Sequence, residues 1–286
     1  MSSSPIKSIL SAQQPGGWWV GEKDMYLPKY TATTHSLLIL AELGAKRTRE
    51  IKRGVEQVYR FQRDSGHFLQ DLPITAKGKA SAMKNGCCFD GNVLYYLIHF
   101  GYLDDPRTRR LMDFNVEYHD GENAGWLCRS YPIDPATVFP KNCYMGAVKM
   151  LRALSAIPQP KRSREVQEII DREVKNILEN GVYQYLRNPD ETRKDKAGWK
   201  RFGFPLFYQS DALEVLDTLT RLGVHDDRMQ PTVDLVLSAQ QPDGSWLLDN
   251  TYNGKMWVNI EEKGKPSKWV TLRALRALKR FGLSTL

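Results

Sequence analysis

The stretch Ile9–Trp19 reads ILSAQQPGGWW, and the stretch Val236–Trp246 reads VLSAQQPDGSW. Eight of the eleven positions carry the same residue. A phrase that recurs near both ends of a chain of 286 residues indicates an internally repeated fold, because each repeat is one supersecondary unit with its own turn sequence. In both copies Pro and Gly follow an apolar helical pattern, so each phrase predicts the end of a helix.

Five apolar segments have a helical period and are predicted as inner helices. Each has an apolar residue at every third or fourth position, and most end on Gly, the residue typical of a helix C-terminus. They cover residues 34–44, 91–101, 143–157, 211–223 and 269–282.

More polar segments alternate with the apolar ones and are predicted as outer helices. They cover residues 4–14, 46–62, 106–118, 162–180 and 226–240. This alternation predicts an all-α fold, an α/α toroid of about five inner/outer helix pairs that forms a single domain over residues 1–286. A linear solenoid is the alternative, but a solenoid needs polar capping repeats, and neither end of the sequence has one.

The six-residue phrase from Gln241 to Trp246 resembles the QW repeat of squalene–hopene and oxidosqualene cyclases. The alternating helices are also similar to those of protein prenyltransferase β subunits, which share the same α/α-barrel superfamily. The resemblance covers nearly the whole chain as an architecture, and it is specific in sequence only at the turns. It implies a central, aromatic-lined cavity open at one end. The turn itself is expected to stabilise the fold, with the Gln side chain bonding backbone groups of the next helix, so it indicates architecture rather than a reaction.

The catalytic motifs of this superfamily are not matched. Protonating terpene cyclases carry an Asp-x-Asp-Asp acid motif, which the sequence lacks. Ionising terpene synthases carry Asp-Asp-x-x-Asp, whereas Asp104 and Asp105 are followed by Pro-Arg-Thr. The zinc-ligand spacing of the prenyltransferase β subunits is also absent, and the chain is less than half as long as a two-domain triterpene cyclase.

Composition narrows the classes of partner and compartment. The hydrophobic content is 41%, and no apolar run is long enough for a transmembrane helix. The first residues have no apolar core of the signal-peptide kind, so a cytoplasmic protein is expected. The formal net charge is +8, but the basic residues are spread along the chain and are not interleaved with aromatic ones. A small apolar or anionic substrate is therefore expected rather than a nucleic acid.

The cysteines predict a metal site. Cys88 lies just before the inner helix expected to begin near Gly91, Cys143 begins the next inner helix, and Cys128 lies in the loop that leads to it. Since the inner helices of a toroid begin at the same end, Cys88, Cys128 and Cys143 are expected to converge on one rim. Helix N-termini favour thiolates, and three converging thiolates indicate zinc. Cys87 is interpreted as a spare core thiol.

The fourth zinc ligand is left open between His, Asp and water. Candidates on the same rim are Asp90, Asp211, His35 and His67. A zinc-bound water is an acidified nucleophile, whereas three thiolates weaken the Lewis acidity of the metal, so a structural site is equally compatible. The cysteine spacing matches no compact zinc signature, and buried cysteines without a metal or reactive thiols are alternatives.

Catalytic and substrate-binding candidates lie at the starts of the inner helices and in the loops before them. Asp90, Asp211 and His35 are candidate acids or bases, and for His35 a hydrogen-bonded interior role is the alternative. Aromatic residues on the same rim are expected to line a pocket for an apolar or cationic group, or else to fill the core under the loops. They are Trp18, Tyr26, Tyr30, Tyr208, Tyr252, Trp257 and Trp269.

Three functions are compatible with these observations. The leading hypothesis is a zinc-dependent enzyme that performs hydrolysis or group transfer at an ester-like or phosphate-like centre of a largely apolar substrate. The missing acid motifs favour it over cyclisation. The second hypothesis is a small terpenoid cyclase or isomerase that uses Asp90 or Asp211 as its acid. The third is a non-enzymatic binding toroid with structural zinc. The oligomeric state is left open.

Overall fold

A computed structural model of the chain describes residues 4–68, 87–126, 143–185, 194–196 and 198–283. These residues are predominantly helical, and their regular strands form one short antiparallel pair, β1 with β2. The predicted all-α class is therefore confirmed. The α-helices are α1 Pro5–Ser11, α2 Thr33–Glu42, α3 Arg49–Tyr59, α4 Cys87–His99, α5 Pro106–Glu117, α6 Tyr144–Ser155, α7 Arg164–Glu179, α8 Ala212–Arg221, α9 Gln230–Ser238 and α10 Lys268–Arg280. Short 3₁₀ turns cover Gln159–Lys161 and Asp227–Met229, and the strands are β1 Gln184–Tyr185 and β2 Lys194–Asp195.

The chain divides into two compact units. Unit 1 comprises Met1–Ile169 and Asn253–Asn259, and unit 2 comprises Ile170–Tyr252 and Ile260–Leu286. The expectation of a single domain over residues 1–286 stays a prediction.

In unit 1 the apolar helices α2, α4 and α6 form the core, and α3 and α5 pack against α2 and α4. Helices α4 and α6 make the closest approach. A Cβ atom added at Gly91 would lie 2.7 Å from the backbone carbon of Lys149 and 2.7 Å from the backbone nitrogen of Met150. Gly91 therefore lets the two backbones touch, which explains a glycine inside α4.

In unit 2 the core forms where α8 packs against α10 and α9. Every residue of α8 from Ala212 to Thr220 is buried. The N-terminus of α8 is capped by the carboxylate of Asp211, which accepts a hydrogen bond from the backbone nitrogen of Glu214 at 2.7 Å.

The Gln-containing turns share one hydrogen-bond arrangement. The side-chain amide of Gln13 donates to the carbonyl oxygen of Gly17 at 2.8 Å, and Gln62 and Gln240 make the same bond to the Gly four residues on. In unit 1 the amide also reaches the next outer helix. Gln13 donates to the carbonyl oxygen of Glu50, and Gln62 donates to that of Arg107, each at 2.7 or 2.8 Å.

The tryptophan of each turn is tied back to the helix before it. The indole nitrogen of Trp19 donates to the carbonyl oxygen of Ile9 at 2.7 Å, and that of Trp246 donates to Val236 at 2.6 Å. Each turn is thus hydrogen-bonded to the helix before it, as expected of a turn that stabilises the fold. Their identity with the QW repeats of triterpene cyclases stays a prediction.

Helix α4 begins four residues earlier than expected, at Cys87 instead of near Gly91. The sequence Cys-Cys-Phe-Asp contains no helix breaker, so the helix can begin before Gly91. Gly91 permits the close packing of α4 on α6 and does not mark the start of the helix. As a consequence Cys88 and Asp90 lie inside the first turn of α4.

Candidate functional site

A buried carboxyl group marks the first turn of α4. Asp90 is 1% exposed, and both of its oxygens accept hydrogen bonds. Oδ1 accepts from the backbone nitrogen of Phe68 at 3.2 Å, and Oδ2 accepts from the side-chain amide of Asn115 at 3.2 Å. Burial raises the pKa of Asp90 to about 7, although these two hydrogen bonds act in the opposite direction. The protonated form of Asp90 therefore persists to much higher pH than that of an ordinary aspartate.

The position of Asp90 has a counterpart in two other turns. The backbone nitrogen of Trp19 donates to the hydroxyl of Thr33 at 3.1 Å, and that of Trp246 donates to the hydroxyl of Thr271 at 2.9 Å. In each case the aromatic residue of the turn bonds a side chain near the start of the next inner helix. The turn needs only an acceptor there, and a threonine suffices. Asp90 supplies the same acceptor as a carboxyl group.

Aromatic rings cluster at the starts of α2 and α4. The ring of Tyr26 lies 4.9 Å from that of His35 and 5.6 Å from that of Phe89, and Tyr30 lies 5.8 Å from His35. Phe89 immediately precedes Asp90 in α4. We call Tyr26, Tyr30, His35 and Phe89 the aromatic cluster.

The segment Asn253–Asn259 covers one side of the aromatic cluster. The indole nitrogen of Trp257 donates to the carbonyl oxygen of Thr31 at 2.9 Å and to the hydroxyl of Ser36 at 3.1 Å. The ammonium group of Lys255 lies 6.0 Å from the centre of the Tyr30 ring, and that of Lys29 lies 5.6 Å from the Tyr26 ring. Tyr30 and Trp257, both predicted to bind substrate, are thus brought to the same part of unit 1.

His35 is buried and is kept neutral. Desolvation, followed by the nearby charge of Lys29, lowers the pKa of His35 to about 3. His35 therefore contributes an uncharged polar ring to the aromatic cluster at physiological pH. A role for His35 as a general base stays a prediction.

A buried tyrosine lies deeper in the same helices. The hydroxyl of Tyr96 in α4 lies 3.3 Å from that of Thr34 in α2 and is fully buried. Burial raises the pKa of Tyr96, and the nearby Asp90 carboxylate raises it further. Tyr96 therefore stays protonated.

Asp211 belongs to unit 2 and serves first as a helix cap. Its Oδ1 accepts from the Glu214 nitrogen, and its Oδ2 accepts from the backbone nitrogen of Gly203 at 2.9 Å. Burial raises the pKa of Asp211 to about 6, and the charge of Arg273 limits the rise. Its two hydrogen bonds explain the position of Asp211 without a catalytic role. A catalytic role for Asp211 remains a prediction.

The other predicted aromatic residues have identifiable local contacts. Trp18 folds its ring over Gly16 and so belongs to its own turn. In unit 2 the ring of Trp269 stacks on Phe204 at 5.1 Å, and the ring of Tyr252 meets Phe207 edge-on at 5.0 Å. Tyr208, which directly follows Phe207 in the sequence, is half-buried. Whether they bind substrate stays a prediction.

The starts of α4 and α6 meet at Gly146, and the sulfur atoms of Cys87 and Cys143 both contact this residue. The thiol of Cys87 donates to the carbonyl oxygen of Gly146 at 3.3 Å, and the backbone nitrogen of Gly146 donates to the sulfur of Cys143 at 3.3 Å. An added Cβ at Gly146 would lie 3.5 Å from the backbone nitrogen of Cys88. Cys143 caps α6, as its place at the start of that helix suggested. Cys128 lies outside the described residues.

No group of three His, Cys, Asp or Glu side chains in the described ranges is arranged to hold a metal ion. The zinc site was predicted to include Cys128, so its prediction is not tested. Of the helices that the structure describes, none is both long and apolar enough to cross a membrane.

Two residues of this site were missed from the sequence. Asn115 is the side-chain partner of Asp90, and Phe89, the residue before Asp90, belongs to the aromatic cluster. A usable signal for Asn115 exists in the spacing of the turns. The indole of Trp126 donates to the Asn115 carbonyl at 2.7 Å, eleven residues back, nearly repeating the bonds of Trp19 and Trp246.

Solved structures similar to this chain include a type II terpene cyclase in more than one form. Type II terpene cyclase MstE from Scytonema, without ligand, matches 96% of this chain and 70% of its own, with 12% identity and a TM-score of 0.50. A variant of the same cyclase in complex with merosterolic acid A, its product, matches 96% and 71% at 14% identity and a TM-score of 0.50. A protein from Actinoplanes matches 96% and 72% at 13% identity and a TM-score of 0.52.

No protein-family model and no curated protein matches the sequence. At 12–14% identity the structural likeness shows the fold alone. The expected resemblance to terpenoid cyclases is thereby confirmed at the level of the fold.

Proposed function

We propose that the protein is a terpenoid cyclase or isomerase that begins its reaction by protonating a carbon–carbon double bond of an apolar isoprenoid. Asp90 carries the proposal. In two other turns a threonine hydroxyl accepts the equivalent hydrogen bond, whereas this turn uses a buried carboxyl group. A rise of the Asp90 pKa from 3.8 to about 7 corresponds to about 4 kcal/mol of destabilisation of the ionised form. A threonine at this position would accept the same hydrogen bond without this free-energy cost. The presence of aspartate therefore indicates a function for its carboxyl group.

The proposed reaction starts from the protonated form of Asp90. The O–H bond of neutral Asp90 breaks and a C–H bond forms with the π electrons of the substrate, which leaves a carbocation and the Asp90 carboxylate. The hydrogen bonds from Phe68 and Asn115 stabilise that carboxylate as it forms. A second double bond then closes a ring, and loss of a proton from a neighbouring carbon restores a neutral product.

The aromatic cluster suits the carbocation. The π faces of Tyr26, Tyr30 and Phe89 attract positive charge. Neutral His35 adds no repelling charge, whereas the ammonium groups of Lys29 and Lys255 already lie near the Tyr26 and Tyr30 rings and would compete for them. The likeness of the fold to type II terpene cyclase supports the proposal without assigning a substrate.

A direct assay tests the proposal. The purified protein is incubated with acyclic isoprenoids of increasing length in the presence of a chelator, and products are analysed by mass spectrometry. We expect an isomeric product from wild type and at least a 100-fold loss in Asp90→Asn, because asparagine keeps one of the two acceptor oxygens and lacks the acidic proton. Asp211→Asn, which retains a helix cap, is the matched control and is expected to keep its activity.

Two outcomes would reject the assignment of Asp90. Loss of activity in Asp211→Asn with full activity in Asp90→Asn would move the acid to unit 2. No product from any isoprenoid, together with saturable binding of one, would favour the non-enzymatic binding protein.

The zinc enzyme is kept as a second candidate on one observation: the sulfur atoms of Cys87 and Cys143 contact Gly146, and the backbone of Cys88 lies beside the same residue. Zinc held by Cys88, Cys128 and Cys143 would support hydrolysis or group transfer, or a purely structural role. Metal analysis of the purified protein tests it. One zinc per chain that is lost in Cys128→Ser supports the site, and metal-free protein with unchanged activity rejects it.

A further inference from the structure

Asp217 contacts two arginine side chains where α8 and α10 pack together in unit 2, and the charges of two further arginines act nearby. Asp217 in α8 is buried, and each of its oxygens binds a different guanidinium group. Oδ1 accepts from Nη1 of Arg280 at 2.9 Å, and Oδ2 lies 3.4 Å from Nη2 of Arg221. Arg273 and Arg276 in α10 complete the group, which we call the arginine cluster.

The register of α10 places its three arginines together. Arg273, Arg276 and Arg280 stand at positions i, i+3 and i+7, which lie on one face of a helix. Arg273 is buried, whereas Arg276 is exposed at the edge of the cluster. The side chains of Arg280 and Arg221 are partly exposed, so Arg276 is the most exposed of three guanidinium groups within reach of solvent.

Arg276 lies in a locally positive environment. The charges that act on it are the guanidinium groups of Arg221, Arg273 and Arg280 and the single carboxylate of Asp217. Partial desolvation and the three like charges lower the pKa of Arg276, and Asp217 alone acts in the opposite direction. An arginine stays charged under these conditions, so the repulsion persists in the folded protein.

The neighbouring arginines have compensations that Arg276 lacks. Arg221 and Arg280 end their helices, where the partial negative charge of a helix C-terminus favours cations, and both bind Asp217. Within the described part of the chain, Arg276 makes neither an ion pair nor a side-chain hydrogen bond. The cluster thus holds a positive charge that the described residues leave unneutralised.

We propose that the exposed edge of the arginine cluster binds an oxyanion of the phosphate or carboxylate class, with Arg276 as its principal contact. A guanidinium group presents parallel N–H donors that match two oxygens of such an anion. An added anion would also screen the repulsion within the cluster. A free inorganic anion and the anionic head group of a larger molecule both present this chemistry. The proposal does not depend on the terpenoid cyclase assignment.

Thermal unfolding with and without sodium diphosphate tests the site, with sodium chloride at matched ionic strength as the reference. At about ten times Kd, diphosphate is expected to raise the Tm of wild type by about 3 °C. Arg276→Gln should abolish this shift. Without diphosphate, Arg276→Gln should also raise the Tm by about 1–2 °C, because it removes a repelled and partly desolvated charge.

Lys279→Gln is the matched control. It removes one positive charge from the same helix, and Lys279 is exposed and is not among the charges that act on Arg276. We expect Lys279→Gln to keep the diphosphate shift and to have no gain in Tm. A wild-type Tm that diphosphate leaves unchanged, or a shift that survives in Arg276→Gln, would overturn the proposal.

Calorimetric titration with diphosphate and with geranyl diphosphate separates the two sources of the anion. Equal affinities, both lost in Arg276→Gln, identify a site for free oxyanions. Tighter binding of geranyl diphosphate, again lost in Arg276→Gln, identifies a site for a head group. Binding of either compound with the same affinity to the variant contradicts the site.

Discussion

The side-chain amide of Asn115 lies 3.2 Å from Oδ2 of Asp90 and donates a hydrogen bond to it. The same nitrogen donates to the carbonyl oxygen of Leu111 at 2.9 Å, so both amide hydrogens are used. Trp126 in turn donates to the carbonyl oxygen of Asn115. A turn after α5 thereby fixes the residue that orients an acid on α4, which connects the repeated turns of the fold to its candidate site.

Replacing Asp90 should stabilise the protein at high pH. The folded-state pKa of Asp90, about 7, is above its unfolded value near 3.8, so the folded state binds more protons between these values and loses stability as pH rises through them. The free energy of unfolding of Asp90→Asn relative to wild type is therefore expected to increase by up to about 4 kcal/mol between pH 4 and pH 8. Denaturant unfolding at both pH values measures it.

Asp90→Thr is a second variant for the same measurement, because it copies the chemistry of the other two turns. A pH-independent difference between wild type and both variants would show that Asp90 ionises normally in the folded protein.

Removing the amide of Asn115 should raise the pKa of Asp90 further, because the hydrogen bond that it donates favours the carboxylate. If neutral Asp90 is the active form, wild-type activity falls as pH rises through about 7. In Asn115→Ala this fall should move upward by about 1 pH unit. Asn123→Ala, which removes an exposed amide from the turn after the same helix, is expected to leave the profile unchanged. An unaltered profile in Asn115→Ala would separate Asn115 from the acid.

His35 should not titrate in the folded protein. Its burial and the charge of Lys29 lower its pKa to about 3, so the imidazole stays neutral from pH 5 to pH 8. The NMR signal of its ring protons, assigned by comparison with His35→Asn, is expected to keep a constant chemical shift over this range. A midpoint for His35 near pH 6 would contradict the structure.

A methyl group at Gly91 should separate α4 from α6. It would meet the backbone of Lys149 and Met150 at 2.7 Å, and backbone atoms cannot move aside as a flexible side chain does. We expect Gly91→Ala to lower the free energy of unfolding by about 3 kcal/mol. At Gly21 an added Cβ meets nothing within 4 Å, so Gly21→Ala should change stability by less than about 1 kcal/mol. Equal effects of the two substitutions would show that the helices are not in this contact.

The fold was largely predictable, because its signals are local. Apolar periodicity places α2, α8 and α10 within two residues of the structure at each end, and the repeated turns mark where outer helices end. The start of α4 was misplaced, since Gly91 was interpreted as a boundary although it serves a contact with a helix more than fifty residues away.

The site was less predictable, because its properties depend on tertiary contacts. The sequence indicates that Asp90, Tyr30 and Trp257 lie near helix starts or in loops. It does not show that the Asp90 carboxyl group is buried away from solvent or that Asn115 donates a hydrogen bond to it. It also does not show that Trp257 donates a hydrogen bond to Thr31, more than two hundred residues away. The arginine cluster was missed for the same reason, since its partners belong to two helices that are distant in the chain.

Deuterium incorporation tests the central claim most directly. The isoprenoid that gives a product in the assay is converted in D₂O, and the mass of the product is measured. If Asp90 protonates a double bond, each product molecule should carry one deuterium, and Asp90→Asn should form no such product. A product without deuterium, or one that Asp90→Asn labels at the wild-type rate, would contradict the account.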